Sequence, residues 1–319
     1  MQEVLFLKQN SSRWKQLEAM LSRPHQADPD ELARLFIEVT DDLSYARTFF
    51  PRSKTTQYLN GLAGRIHQLI YRNKKESKSR FVTFWGQELP RLFHKNRRYI
   101  AYSFLIFVLS ALIGVVSTAN DETFVRLILG DAYVNMTIEN IKRGDPMAVY
   151  KQGSEAEMFS YITLNNIYVA FRTFAYGLLL SVGTVYILMI NGIMLGVFQY
   201  FFYQHGLLGA SALVIWIHGT LEIWAIIIAG AAGLVMGNSL LFPGTYTRRQ
   251  SFMRGAREGM KMVVGLVPVF LTAGFLESFV TRHTDMPVGL SLLIIAGSMS
   301  FNIWYFLLYP RKVAMGGCS

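Results

Sequence analysis

From Thr173 to Gln204 the chain runs without a charged residue, and as one helix that stretch would reach roughly 48 Å at 1.5 Å per residue. Hydrocarbon about 30 Å thick is crossed by about 20 residues, so the run is too long for one comfortable span. Asn191-Gly192, a turn dipeptide, sits in its middle. The spacing predicts a cut there, with a second span over 167–190 and a short third over 193–203. A re-entrant hairpin is the alternative.

Charge decides between the two. The first span reads as 99–116, the fourth as 210–236, the fifth as 262–279 and the sixth as 288–309. Ahead of the first lie eighteen basic residues, and between the fourth and fifth lies a loop with Arg248, Arg249, Arg254, Arg257 and Lys261 against Glu258 alone. Short basic loops stay in the cytoplasm. Both regions are on that side only if 173–204 crosses twice, which predicts six spans with both termini cytoplasmic. The segment 120–165, with seven acidic and four basic residues, is then external. No early apolar segment resembles a cleavable signal, so the first span is expected to direct insertion.

A net charge of +10 could indicate nucleic acid, but the basic residues flank apolar runs and carry no groove-binding motif. Membrane lipid is the expected partner, and nucleic acid is not. Cys318 is the one cysteine, so neither an intramolecular disulfide nor a cysteine-based metal site is expected.

Residues 1–80 read as a soluble helical region. Trp14, Leu17 and Leu21 form one stripe, and Asp28-Pro29-Asp30-Glu31 looks like a helix start. Leu32, Leu35, Phe36, Val39, Leu43 and Ala46 form a second stripe, and Leu59, Leu62, Ile66 and Leu69 a third. Three short helices make a marginal core, so packing on the membrane or a partner is expected; His25 and His67 read as surface or packing histidines. Over 81–98, Phe81, Phe84, Trp85, Leu89 and Phe93 are interleaved with basic residues, Arg80 just ahead and then Arg91, Lys95, Arg97 and Arg98. That pattern predicts an amphipathic elbow in the interface, broken by Pro90.

Inside the fourth span stand His218 and Glu222, four apart and so on one helical face. A carboxylate at that depth costs several kcal/mol unless partnered or neutral. Ala225, Ala229, Ala232 and Gly233 continue the same face, while Trp216, Ile223, Ile227 and Leu234 lie opposite and are expected to meet lipid. Arg172, Glu277, His205 and His283 all fall in the outer half of the predicted bundle. Three readings remain open: an ionic lock in which Arg172 pairs with Glu222 or Glu277, a divalent metal such as zinc held by His218, Glu222 and Glu277 or His205, and a proton or ion carrier at Glu222. A cofactor is otherwise not expected, since no phosphate loop, nucleophile elbow or dinucleotide fingerprint is present. Gly192, Gly196, Gly219, Gly230 and Gly233 are read as helix-packing positions, and such small-residue faces make a homodimer plausible.

Asn191-Gly192-Ile193-Met194-Leu195-Gly196, then His218-Gly219-Thr220-Leu221-Glu222, then Ala229-Gly230-Ala231-Ala232-Gly233 resemble the stage II sporulation protein M family of bacterial integral membrane proteins. The likeness extends to Trp14, Ala46-Arg47 and Leu59-Asn60. It implies a polytopic protein of the cytoplasmic membrane, with His218 and Glu222 matching the family's His-Gly-x-x-Glu signature. Sporulating members help recruit or anchor cell-wall-degrading partners, and no settled enzymatic activity comes with the family. The expected protein is therefore all-α: a cytoplasmic helical region, an elbow, and a six-helix membrane domain over 99–319. Its expected role is a non-enzymatic scaffold for envelope proteins such as cell-wall hydrolases; the alternatives are a metal-dependent hydrolase and a small-solute permease.

Overall fold

The computed structural model describes residues 3–22, 28–72, 79–151, 153–284 and 286–316. His25 and Cys318 lie outside them. Among the described residues every regular element is helical, and the chain divides into two units, 1–80 and 81–319.

The first unit holds α1 (Glu3–Ser22), α2 (Pro29–Phe49) and α3 (Lys54–Arg72). Asp28 caps α2 by accepting from the Asp30 amide, with Pro29 in the first turn, where its missing N–H is no loss. The helices bury Trp14, Leu17, Leu35, Val39, Ala46, Leu59 and Ile66 in one core. α1 begins earlier than its apolar stripe, because Phe6 joins that core against Trp14 and Tyr45. His67 is exposed.

The boundary falls within α4 (Ser79–Thr83), and the second unit continues with a π turn at Phe84–Glu88 and α5 (Leu89–Lys95). Pro90 does not break this segment. Pro90 brings no N–H to the turn before it, and there the hydroxyls of Tyr305 and Tyr309 donate to the Trp85 and Gly86 carbonyls at 2.8 and 2.9 Å. Nor does the segment turn its whole apolar face to the interface: Leu89 and Phe93 are buried in the bundle, while Phe81 and Val82 stay exposed. Trp85 Nε1 donates to the Gly265 carbonyl, and Lys261 and Lys95 pair with Glu88 and Glu258.

After α6 (Arg97–Asn120) come the short helices α7 (Phe124–Leu129) and α8 (Asp131–Lys142), then α9 (Glu155–Ala175), α10 (Val182–Gln204) and α11 (Leu208–Leu241). α12 (Arg248–Gly265) and α13 (Val267–Phe275) follow, then α14 (Val288–Ile303) and α15 (Tyr309–Met315). Among the described residues, five stretches are long and apolar enough to cross a membrane: Arg97–Asn120, Val182–Gln204, Leu208–Leu241, Arg248–Val280 and Val288–Met315. α9, with Glu155, Glu157, Asn165, Asn166 and Arg172, is not in that set.

Glycine contacts give α9 its place. On α10, Gly192 lies against Phe107 and Gly196 against Ala111, so the numbers rise together and α6 and α10 run in the same direction. On α11, Gly230 meets Ser103 and Leu188, and Gly233 meets Thr173 and Thr184, so α11 runs the opposite way. Between two parallel helices the chain must return through the depth of the bundle, and α9 makes that passage. Among the described residues the arrangement is a bundle in which the polar α9 runs beside five stretches apolar enough to cross a membrane.

Four expectations are corrected here. The break in 173–204 falls at 176–181, where Leu180 and Ser181 take positive φ values of 54° and 70°, while α10 runs unbroken through Asn191-Gly192. That dipeptide is no turn, because Asn191 bonds back to the Ile187 carbonyl at 2.8 Å and the bare face of Gly192 admits α6. The third crossing is accordingly full-length. The basic stretch Arg248–Lys261 is helix α12, opened by a Thr247–Gln250 capping box, and is continuous with the fifth crossing except for a break at Leu266 ahead of Pro268. Finally, α11 has no lipid face in its middle: every residue from Ala225 to Gly237 is buried, Ile227 and Leu234 included. It is the central helix, packed by α6, α9, α10, α12, α13 and α14.

Polar side chains bind these helices to one another. Ser103 donates to the Ile227 carbonyl at 2.6 Å, Thr184 to that of Thr173 at 2.8 Å, and Asn302 to that of Thr220 at 2.9 Å. Such bonds hold where no hydrophobic force draws helices together.

Candidate functional site

His218 and Glu222 leave the same face of α11, one turn apart, and reach a cavity of about 710 Å³ lined by α6, α9, α10, α11 and the 124–151 segment. The third member comes from a π turn at Leu276–Val280, closed by the Thr281 amide on the Leu276 carbonyl at 2.8 Å. A π turn swings side chains off the regular helical register, and here Glu277 joins the pair. One ligand atom from each of His218, Glu222 and Glu277 lies within 4.8 Å of the others. This group could hold a metal ion.

Local hydrogen bonds fix the orientation of each group. Thr281 Oγ1 donates to the Leu276 carbonyl at 3.1 Å and lies 3.0 Å from His218 Nδ1. With its one proton given to a carbonyl, the hydroxyl accepts from Nδ1–H, and Nε2 keeps a lone pair. That nitrogen is 3.8 Å from Glu277 Oε1. His218 is buried, and the Tyr150 ring covers it at 5.8 Å between centroids. Burial, and after it the Glu277 carboxyl, push the Tyr150 phenol above its ordinary range, so it stays a neutral hydroxyl. Asn166 of α9 donates from Nδ2 to Glu222 Oε1.

Other expected members sit elsewhere. Arg172 lines the cavity but makes no ion pair among the described residues; its guanidinium lies 5.8 Å from the Tyr176 ring centre. The ionic lock between Arg172 and a carboxylate is therefore not formed. His205, at the end of α10, is exposed and bonds to the Phe201 carbonyl at 2.8 Å, outside the three-residue group, so it is replaced as candidate ligand by Glu277. Gly192, Gly196, Gly230 and Gly233 are close-approach positions; Gly219 is not, since a Cβ there would meet only Ile215 of its own helix at 3.8 Å. Gly219 lines the cavity.

Asn166, Thr281 and Tyr150 were not foreseen from the sequence. For Asn166 a signal existed: Asn165-Asn166 interrupts the apolar stretch that leads into the second crossing, and amides at that depth need partners. Thr281 and Tyr150 carry no such signal, because their role depends on the π turn and on the path of the 121–154 segment.

A bundle of apolar helices around a polar cavity defines a polytopic membrane protein. A family model for stage II sporulation protein M matches residues 103–282, more than half of the chain and the whole of the site, and the chain belongs to that family. Residues 4–72 match a second family model, a domain of unknown function (DUF8413). No curated protein and no solved structure matches the chain.

Proposed function

We propose that the chain is a non-enzymatic scaffold of the bacterial cytoplasmic membrane that recruits other envelope proteins, cell-wall hydrolases among them. One observation carries this reading over a permease: the helix backbones interlock. A Cβ added at Gly196 would be driven into the Ala111 carbonyl, one at Gly114 into that of Ile193, and one at Gly177 into that of Gly233. Alternating access needs one helix group to rock or slide past another, and glycine contacts on both sides of a seam resist that. A rigid bundle is what a platform for partners requires. Family membership supports recruitment as the role, since sporulating members help anchor cell-wall-degrading partners.

Charge supports the orientation. The basic region ahead of α6 and the Arg248–Lys261 stretch belong on the cytoplasmic side, which makes 121–154 the external face offered to periplasmic or wall partners. A metal-dependent hydrolase is the second reading, favoured by the meeting of His218, Glu222 and Glu277.

Depleting the chain in its host is expected to disperse fluorescent cell-wall hydrolases from their envelope foci. A phosphatase fused after Gly144 is expected to be active, and a fluorescent protein at the carboxyl end to fold and emit. Unchanged hydrolase foci, together with solute uptake or peptide cleavage by proteoliposomes of the pure chain, would overturn the scaffold reading.

A further inference from the structure

We infer that His218, Glu222 and Glu277 form a binding site for one divalent cation of the zinc class, with a coordination position open to the cavity. The inference is independent of what the chain recruits. Three observations carry it.

Charge comes first. Two carboxyl groups face each other inside the bundle, and no Lys or Arg side chain lies within ion-pair distance of either among the described residues; the one nearby guanidinium, Arg172, is turned to Tyr176. Like charges at that range do not both ionise unless a cation or a shared proton lies between them.

Histidine comes second. The Thr281 hydroxyl, committed to the Leu276 carbonyl, holds Nδ1 as a donor and leaves the Nε2 lone pair facing Glu277. Metal-binding imidazoles are held in this way, by an oxygen acceptor on the nitrogen that does not bind. Asn166 does the same for Glu222 through its amide.

Geometry comes third. A nitrogen and two oxygens at zinc bond lengths stand about 3.4 Å apart in a tetrahedral shell; Nε2 and Oε1 of Glu277 are at 3.8 Å and all three donors lie within 4.8 Å. Side-chain rotation closes that difference. Three protein donors leave a fourth position, and the cavity of about 710 Å³ adjoins it.

The full chain, purified in detergent and stripped with chelator, is titrated with Co²⁺ and then with Zn²⁺ as competitor. One equivalent of Co²⁺ per chain with tetrahedral visible bands is expected, displaced by Zn²⁺. Glu277→Gln is expected to abolish the bands and His205→Ala to leave them intact. Thr281→Val and Asn166→Ala, which touch no metal, are expected to weaken binding about 10–100-fold. X-ray absorption of the zinc-loaded natural chain needs no variant, and imidazole nitrogen with carboxylate oxygen is the expected shell. Absence of stoichiometric Co²⁺ binding by the natural chain, which would leave a shared proton between the acids, overturns the site; so does a shell without imidazole, or full binding by folded Glu277→Gln.

Discussion

Gly196→Ala is expected to destabilise the bundle by about 1–3 kcal/mol, whereas Gly219→Ala leaves it unharmed or steadies it by up to about 1 kcal/mol. Both glycines lie in crossing helices, and the signs differ because of what each bare Cα faces. At Gly196 the new methyl has a backbone carbonyl in its place, that of Ala111, which cannot rotate aside. The helices must part, and Gly192 and Gly114 along the same seam lose contact with Phe107, Ser110 and Ile193. At Gly219 the methyl meets one atom of its own helix and otherwise the cavity, so the helix-propensity gain is all that remains. Thermal unfolding of the two variants in one detergent checks this; equal losses from both would mean that α6 and α10 do not pack on their glycines.

Trp14→Ala is the other large effect, about 3–5 kcal/mol in the amino-terminal unit. The indole is buried in the three-helix core, and its Nε1 donates to Asp42 at 2.8 Å, where Arg13 also binds at 3.1 Å. Removing it opens a cavity and takes away one of the donors that orient Asp42. A unit of about 70 residues holds roughly 4–10 kcal/mol in all, so about a third of its stability or more goes. Limited proteolysis of the full chain reads this out, with cleavage inside 3–72 accelerated about 10²–10⁴-fold and the 81–316 bundle left intact. An unchanged cleavage rate would contradict the core as described.

Why some of this was legible in the sequence, and some not, follows from the range of each interaction. The stripes Trp14–Leu17, Leu35–Val39–Ala46 and Leu59–Ile66 are local periodicity, and they became the amino-terminal core. His218 and Glu222 share a face for the same reason: one helix turn sets it. The site's third member is not local. Glu277 reaches the pair only through a π turn near the end of the fifth crossing, and no hydropathy pattern encodes that. Arg172 looked like the natural counter-ion, but its position on α9 turns it to Tyr176, the residue that begins the next turn.

Asn191-Gly192 misled because the same two residues serve turns in water and helix contacts in a bundle, and α6 decides between them. The real turn, at Leu180-Ser181, has left-handed backbone on residues that do not advertise it. The lipid face assigned to Ile227 and Leu234 failed for a related reason. A helix moment separates small from large residues, but α11 is surrounded, so its large residues fill the gaps between neighbours instead of facing acyl chains.

Thiol bridging between Glu222→Cys and Glu277→Cys, in a Cys318→Ser chain with a protease site inserted in the 242–246 loop, tests the meeting of α11 and the π turn most directly. With a short bis-thiosulfonate reagent the two fragments are predicted to stay joined after proteolysis, and to separate on reduction. Fragments that part without reduction, from a chain whose Ser239→Cys/Ser251→Cys counterpart, bridging α11 to α12 across the same cut, does stay joined, would contradict the convergence on which the site rests.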